Sequence, residues 1–181
     1  MLLIERFTTE YVAQEDRLRL SALSRSGDML VLWLTQRLLN RLVPYLGTRL
    51  QAQSAASVPL ALQQVQASLA LQSARQDLQQ TLVAPVQLPR DEVAAQAIGH
   101  VLVHAVDLTA AEAAFTLCFK DAQGQAHANL HLPVSALRQW LAIIHSQYVQ
   151  AQWSLHGLPA WLQDTPEVPM FTCYGSSGLL H

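Results

Sequence analysis

The chain has 181 residues, of which 51% are hydrophobic and only 13% are charged, and its formal net charge is −2. This composition predicts one globular domain, or two very small domains fused, with enough apolar residues to bury a core. No apolar run approaches the ~18 to 20 residues that a membrane span requires, so we expect no membrane insertion.

Residues 1–50 predict three strands followed by a helix. Alternating apolar residues place strands at 3–11 and 17–23, and the turn residues 25–28, with Gly27 able to adopt a positive φ, lead into a return strand at 29–34. Thr35 is then positioned to cap a helix with leucines at helical spacing. Pro44 is expected to kink that helix or end its first segment.

The same order of elements recurs in residues 100–153. Strands are predicted at 101–106, 115–120 and 126–132, and a helix beginning near Pro133 buries a stripe of large side chains. Equivalent positions in the two segments are 97 to 99 residues apart, which favours an internal duplication, although two unrelated units with generic periodicity would give a similar pattern. The members of the buried stripe are Leu137, Trp140, Leu141, Ile144 and Tyr148.

The predicted fold is therefore α+β, with two βββα units related by a pseudo-twofold axis and joined by a long helix. We divide the chain into a first unit (1–50), a linker containing a Gln- and Ala-rich helix at about 58–82 (51–99), a second unit (100–153) and an irregular tail (154–181). The two units are expected to form one compact domain.

Four histidines and one cysteine are the weak candidates for a metal site. His100 and His104, like His127 and His131, are spaced by four residues, which on a helix suits a shared zinc ion. Their contexts are strand-like, however, and a pair of α-carbons ~13 Å apart cannot share one metal. Only a site across neighbouring strands, including Cys118, survives this test. We therefore predict no metal, no cofactor and no catalytic residue.

The strand at 29–34 predicts an interaction surface because both of its faces are apolar. Leu30, Leu32 and Leu34 fill one side, so Met29, Val31 and Trp33 need a second cover from the protein's own helix, the second unit or another subunit. The arginines of the preceding strand complete this surface. They are Arg17 and Arg19.

The function predicted from these features is a non-enzymatic protein-binding, assembly or adaptor subunit that forms a homodimer. The alternative is a protein that binds single-stranded nucleic acid, since Arg6, Arg17, Arg19 and Arg25 near Trp33 offer a basic patch, although a solvated sheet face or an acidic protein contact explains these arginines better. A metal-dependent enzyme ranks third. The short apolar start lacks the features of a signal peptide and the two cysteines form no spacing pattern, so we expect a cytoplasmic protein.

Overall fold

The computed structural model describes residues 1–54, 97–111 and 113–163, and within them the chain forms seven strands and three helices. The strands are β1 (Leu2–Val12), β2 (Arg17–Ser24), β3 (Met29–Leu34), β4 (Gly99–Leu102), β5 (Ala105–Ala110), β6 (Ala114–Lys120) and β7 (Ala126–Pro133). The helices are α1 (Gln36–Ser54), α2 (Val134–Gln150) and the single-turn α3 (Ala160–Gln163).

All seven strands belong to one curled, mixed sheet in the order β4-β3-β2-β1-β7-β6-β5. The pairs β1–β2, β2–β3, β5–β6 and β6–β7 are antiparallel, whereas β1–β7 and β3–β4 are parallel. The prediction of two βββα units joined by a long helix is therefore wrong, because strands from both segments lie in a single sheet and the described residues contain only two long helices. The predicted helix at 58–82 lies outside the described residues.

The error has a physical origin in the segment predicted as one strand at 101–106. It forms two strands at opposite ends of the sheet order, with β4 on β3 and β5 on β6. Between them, the Val103 N–H donates to Trp33 O (3.0 Å) and the His104 N–H donates to Lys120 O (2.9 Å). We call Val103 and His104 the seam. Apolar periodicity assigns each residue to a face, but it does not identify the neighbouring strand.

The core lies on one face of this sheet. Cross-strand register places Leu18 opposite Leu34 and Leu20 opposite Leu32 on that face, and all four side chains are fully buried. Alternation in β6 and β7 places further apolar side chains in the same core cluster, which is why these strands are half-buried. The members from β6 and β7 are Phe115, Leu117, Phe119, Ala128, Leu130 and Leu132.

Helices α1 and α2 cover the core with their apolar stripes. All five residues of the stripe predicted for α2 are buried, which confirms that prediction. Thr35 caps α1 as predicted, since the Leu38 N–H donates to its Oγ1 at 3.2 Å. The helix does not end at Pro44 but continues to Ser54. No helix among the described residues is long and apolar enough to cross a bilayer.

A polar and aromatic network ties the helices to the β1–β2 turn. Asp16 Oδ1 accepts hydrogen bonds from Tyr11 Oη (3.0 Å) and Trp153 Nε1 (2.9 Å). Trp153 also stacks edge-on against Tyr148, whose hydroxyl donates to Asn40 Oδ1 on α1 (2.8 Å). These contacts give the Trp153 indole and the Tyr148 phenol hydrogen-bond partners.

The segment after α2 also contributes to the core. Leu158, Trp161 and Leu162 are buried, so the beginning of the predicted irregular tail is packed. Gly47 in α1 allows this packing, because a Cβ at that position would lie 2.5 Å from Pro159 Cγ.

Candidate interaction surfaces

The apolar residues predicted to form an interaction surface are largely covered by the chain itself. Register places Val31 and Trp33 on the sheet face opposite the leucine core, beside Ser21 and Arg19. Met29 is 7% exposed and Val31 is fully buried, so neither side chain needs a second subunit to remove it from water. Trp33 is partly exposed.

The two arginines of the predicted surface have carboxylate partners. Arg19 donates to Glu10 Oε1 from Nε (2.9 Å) and Nη2 (2.5 Å), and Arg17 Nη1 lies 3.5 Å from Glu15 Oε2. Because both carboxylates come from the adjacent β1 strand or the β1–β2 turn, these positive charges are compensated locally. They offer little charge to an anionic partner.

The histidines and the cysteine considered for a metal site do not converge. His100 on β4 is in register with Val31, whereas Cys118 and His131 lie on β6 and β7, and exposed His104 belongs to the seam. His127 is hydrogen bonded to Asp121 (2.7 Å). Within the described part of the chain, no group of three or more His, Cys, Asp or Glu side chains is arranged to hold a metal ion.

The strands β5 to β7 present a polar face on which several groups are paired across strands. The Asp107 carboxylate is ion-paired with Lys120, and the resulting hydrogen bond raises the pKa of the Lys120 ammonium. His131 Nδ1 lies 3.2 Å from Thr116 Oγ1. These cross-strand pairs stabilise the face.

Asp121 organises the turn at the end of this face. Its Oδ1 accepts the N–H groups of Gln123 and Gln125, each at 2.9 Å, while its Oδ2 contacts His127. The hydrogen bond with His127 lowers the pKa of the Asp121 carboxyl, and the two backbone N–H groups act in the same direction. This arrangement is that of a structural turn with Gly124 at φ 78°.

Helix α1 carries a different kind of surface, which we call the arginine stripe and define as Arg37, Arg41, Tyr45 and Arg49. These residues recur every four positions and are all exposed, while the opposite side of the helix is buried in the core. Arg49 lies over the Tyr45 ring at 5.1 Å and donates to its hydroxyl (2.9 Å from Nη2). Residues 36–54 include no acidic residue.

An open depression of about 580 Å³ lies where the N-terminus meets the β2–β3 turn. Exposed apolar side chains surround it, and its polar groups are already engaged, since the Ser26 hydroxyl donates to Asp28 Oδ2 at 2.6 Å. The shape and lining do not concentrate titratable groups as an active site does. Its lining includes Met1, Leu3, Arg25, Ser26, Asp28 and Ile98.

Comparison with known proteins found no matching family model, no matching curated protein and no matching solved structure. The class assigned to this chain therefore rests on its own geometry: a single curled mixed sheet with two long helices among the described residues.

The arginine stripe is not among the predicted surfaces, although its residues recur at helical spacing in the sequence. The predicted basic patch consists instead of arginines on the strands and turns, of which Arg17, Arg19 and Arg25 have glutamate partners in the structure. Three arginines at positions 37, 41 and 49, on the helix face away from Leu39 and Leu46, would have indicated a basic exposed face.

Proposed function

We propose that this protein is a non-enzymatic interaction subunit that binds an acidic segment of a partner protein along the arginine stripe. The observation that supports this proposal is the difference between two sets of arginines. Arg17, Arg19 and Arg25 each lie within 4 Å of a glutamate oxygen, whereas Arg37, Arg41 and Arg49 have no carboxylate partner among the described residues.

The helix presents its charges in a regular array. Four residues of α-helix rise about 6 Å along the axis. Arg37 and Arg41 are therefore separated by about 6 Å along α1, and Arg49 lies about 12 Å beyond Arg41. A partner helix with Asp or Glu every four residues matches this spacing. The burial of Leu39, Leu42 and Leu46 fixes which side of α1 faces outward.

The expected affinity is modest. Exposed ion pairs contribute roughly 0.2–1 kcal/mol each, so three of them fall well short of the about 8 kcal/mol that corresponds to micromolar binding. The partner must also bury uncharged surface, and Tyr45, which is 45% exposed, supplies an aromatic side chain for this purpose. Reversible, salt-sensitive binding of this kind suits an adaptor.

The test measures binding of a fluorescently labelled helical peptide with glutamates at four-residue spacing. We expect the double variant Arg37→Gln/Arg41→Gln to bind about tenfold more weakly, because two exposed pairs at up to about 1 kcal/mol each are lost. Affinity of the wild type should also fall as salt is raised.

A matched control removes the same number of charges from ion-paired positions. The double variant Arg17→Gln/Arg25→Gln changes the net charge equally but leaves α1 intact, and we expect less than about a twofold effect on the peptide. Equal losses in the two double variants would show that binding reflects net charge alone, which contradicts the proposal.

Binding of single-stranded nucleic acid is the second candidate, and Tyr45 is the feature that favours it. Bases stack on aromatic side chains between basic residues, although the Arg49 guanidinium already covers one face of the Tyr45 ring. An unstructured oligonucleotide in the same assay separates the two functions. Tighter binding of the oligonucleotide than of the peptide, lost in Tyr45→Ala, would favour nucleic acid.

A further inference from the structure

Strand β5 is an edge of the sheet that the described residues form. It pairs with β6 on one side, and among the described residues no strand pairs with its other side. The Ala111 N–H donates to Ala114 O (2.8 Å), and this bond shows which alternate residues of β5 hydrogen bond to β6. In this pattern Ala105, Asp107 and Thr109 direct their backbone groups to β6, so residues 106, 108 and 110 direct theirs outward.

Among the described residues, this edge lacks the features that protect edge strands from pairing. Its register with β6 is continuous over six residues, without a bulge or a proline. Its single charged residue, Asp107, is 62% exposed but is ion-paired with Lys120. Thr109 and Ala110, at the end of β5, are exposed as well, while Val106 and Leu108 are partly exposed.

We propose that two copies of this chain associate through antiparallel pairing of their β5 strands, with Leu108 on the twofold axis. In this register Leu108 faces its own copy, and Val106 faces Ala110 of the other copy. Each of these pairs exchanges two backbone hydrogen bonds, and all three outward residues are used. The sheet then continues from one protomer into the other.

Charge selects this register. Asp107 faces Thr109 of the other copy, and a threonine hydroxyl can donate to a carboxylate. A shift that centres the axis on Asp107 would place two carboxylates directly opposite each other, which is destabilising. A shift that centres it on Thr109 leaves Val106 without a partner residue in the opposite β5 strand. The segment is therefore complementary to itself in one register.

This inference does not depend on the acidic partner proposed for α1, because β5 and the arginine stripe share no residue. Dimerisation is measured by sedimentation equilibrium of the full chain, and the expected mass is twice the 20.0 kDa of one chain. Failure of dimerisation with peptide binding retained, or the reverse, shows which of the two proposals is wrong.

The decisive variant is Thr109→Asp, which places a new carboxylate opposite Asp107 twice in the dimer. We expect the dimer dissociation constant to rise about tenfold or more. Thr109→Asn is the matched neutral control and should dimerise like the wild type, while Thr109→Lys should dimerise at least as tightly. Circular dichroism shows whether each variant is folded.

Amide hydrogen exchange of the wild type gives a second readout that needs no variant. The N–H groups of Val106, Leu108 and Ala110 should exchange more slowly as the protein concentration rises through the dissociation constant. A monomer at high micromolar concentration would overturn the proposal. So would a dimer whose stability is the same in Thr109→Asp and Thr109→Asn, because the interface would then lie elsewhere.

Discussion

At the residue scale, Asp121 illustrates how one carboxylate can organise a turn and make stability depend on pH. It accepts two backbone N–H groups and contacts His127, and all three interactions favour its charged form. The folded pKa therefore lies below the ordinary value of 3.8. The stability contributed by this carboxylate is present above about pH 4 and is lost as the pH falls through the folded pKa.

We predict that Asp121→Asn flattens this pH dependence. The variant keeps an oxygen acceptor for the Gln123 and Gln125 N–H groups but has no charge to lose. Between about pH 5 and pH 2, its unfolding free energy should decline less steeply than that of the wild type in urea denaturation. His127→Gln should also make the decline of the unfolding free energy less steep. An unchanged decline in both variants would contradict the assignment of this pH dependence to Asp121.

At the element scale, helix α2 compensates for incomplete pairing between β1 and β7. These strands are paired only through Leu2, Leu3 and Ile4 of β1, although β1 continues to Val12. Beyond that point the Tyr11 N–H donates to the Gln147 side chain of α2 at 2.7 Å, and Trp140 Nε1 donates to Thr9 Oγ1 at 3.0 Å. At Tyr11 a side chain of the helix thus takes the place of a neighbouring strand.

We predict that Gln147→Ala destabilises the protein by about 1–2 kcal/mol, because the Tyr11 N–H loses its acceptor in a partly buried position. The amide of Tyr11 should exchange with solvent faster in the variant, whereas amides in the β2–β3 ladder should be affected only through global stability. Gln150→Ala, on an exposed position of the same helix, provides the control. Equal losses in the two variants would indicate a general effect on helix α2.

At the scale of the whole molecule, the sequence predicted most elements but not their assembly. Strand 29–34, the Thr35 cap and the buried stripe of α2 follow from local patterns and are confirmed. The lateral neighbours β1–β7 and β3–β4 are not encoded in any local period, so the single sheet could not be predicted. Helical spacing is sufficient to locate the arginine stripe, although it was not predicted, but the lack of carboxylate partners among the described residues is visible only in the structure.

The seam is the point at which the chain passes between strands at the two ends of the sheet order. We predict that two glycines inserted between Val103 and His104 destabilise the fold by more than the same insertion after Gly27, because Gly27 lies in an exposed turn whose φ is already positive. Urea denaturation measures both insertions. A larger loss at Gly27 would show that the seam does not constrain the sheet.

The two parallel pairings, β1–β7 and β3–β4, are expected to form later in folding than the antiparallel pairings. The three-stranded meanders β1-β2-β3 and β5-β6-β7 close short loops, so they form at small cost in chain entropy. Pairing Leu2 with Ala128, or Leu30 with Gly99, joins residues far apart in the chain and gains little until both meanders exist. We therefore expect the slow step of folding to be the docking of the two meanders through these parallel pairings, so that variants at the pairings slow folding more than variants in the turns.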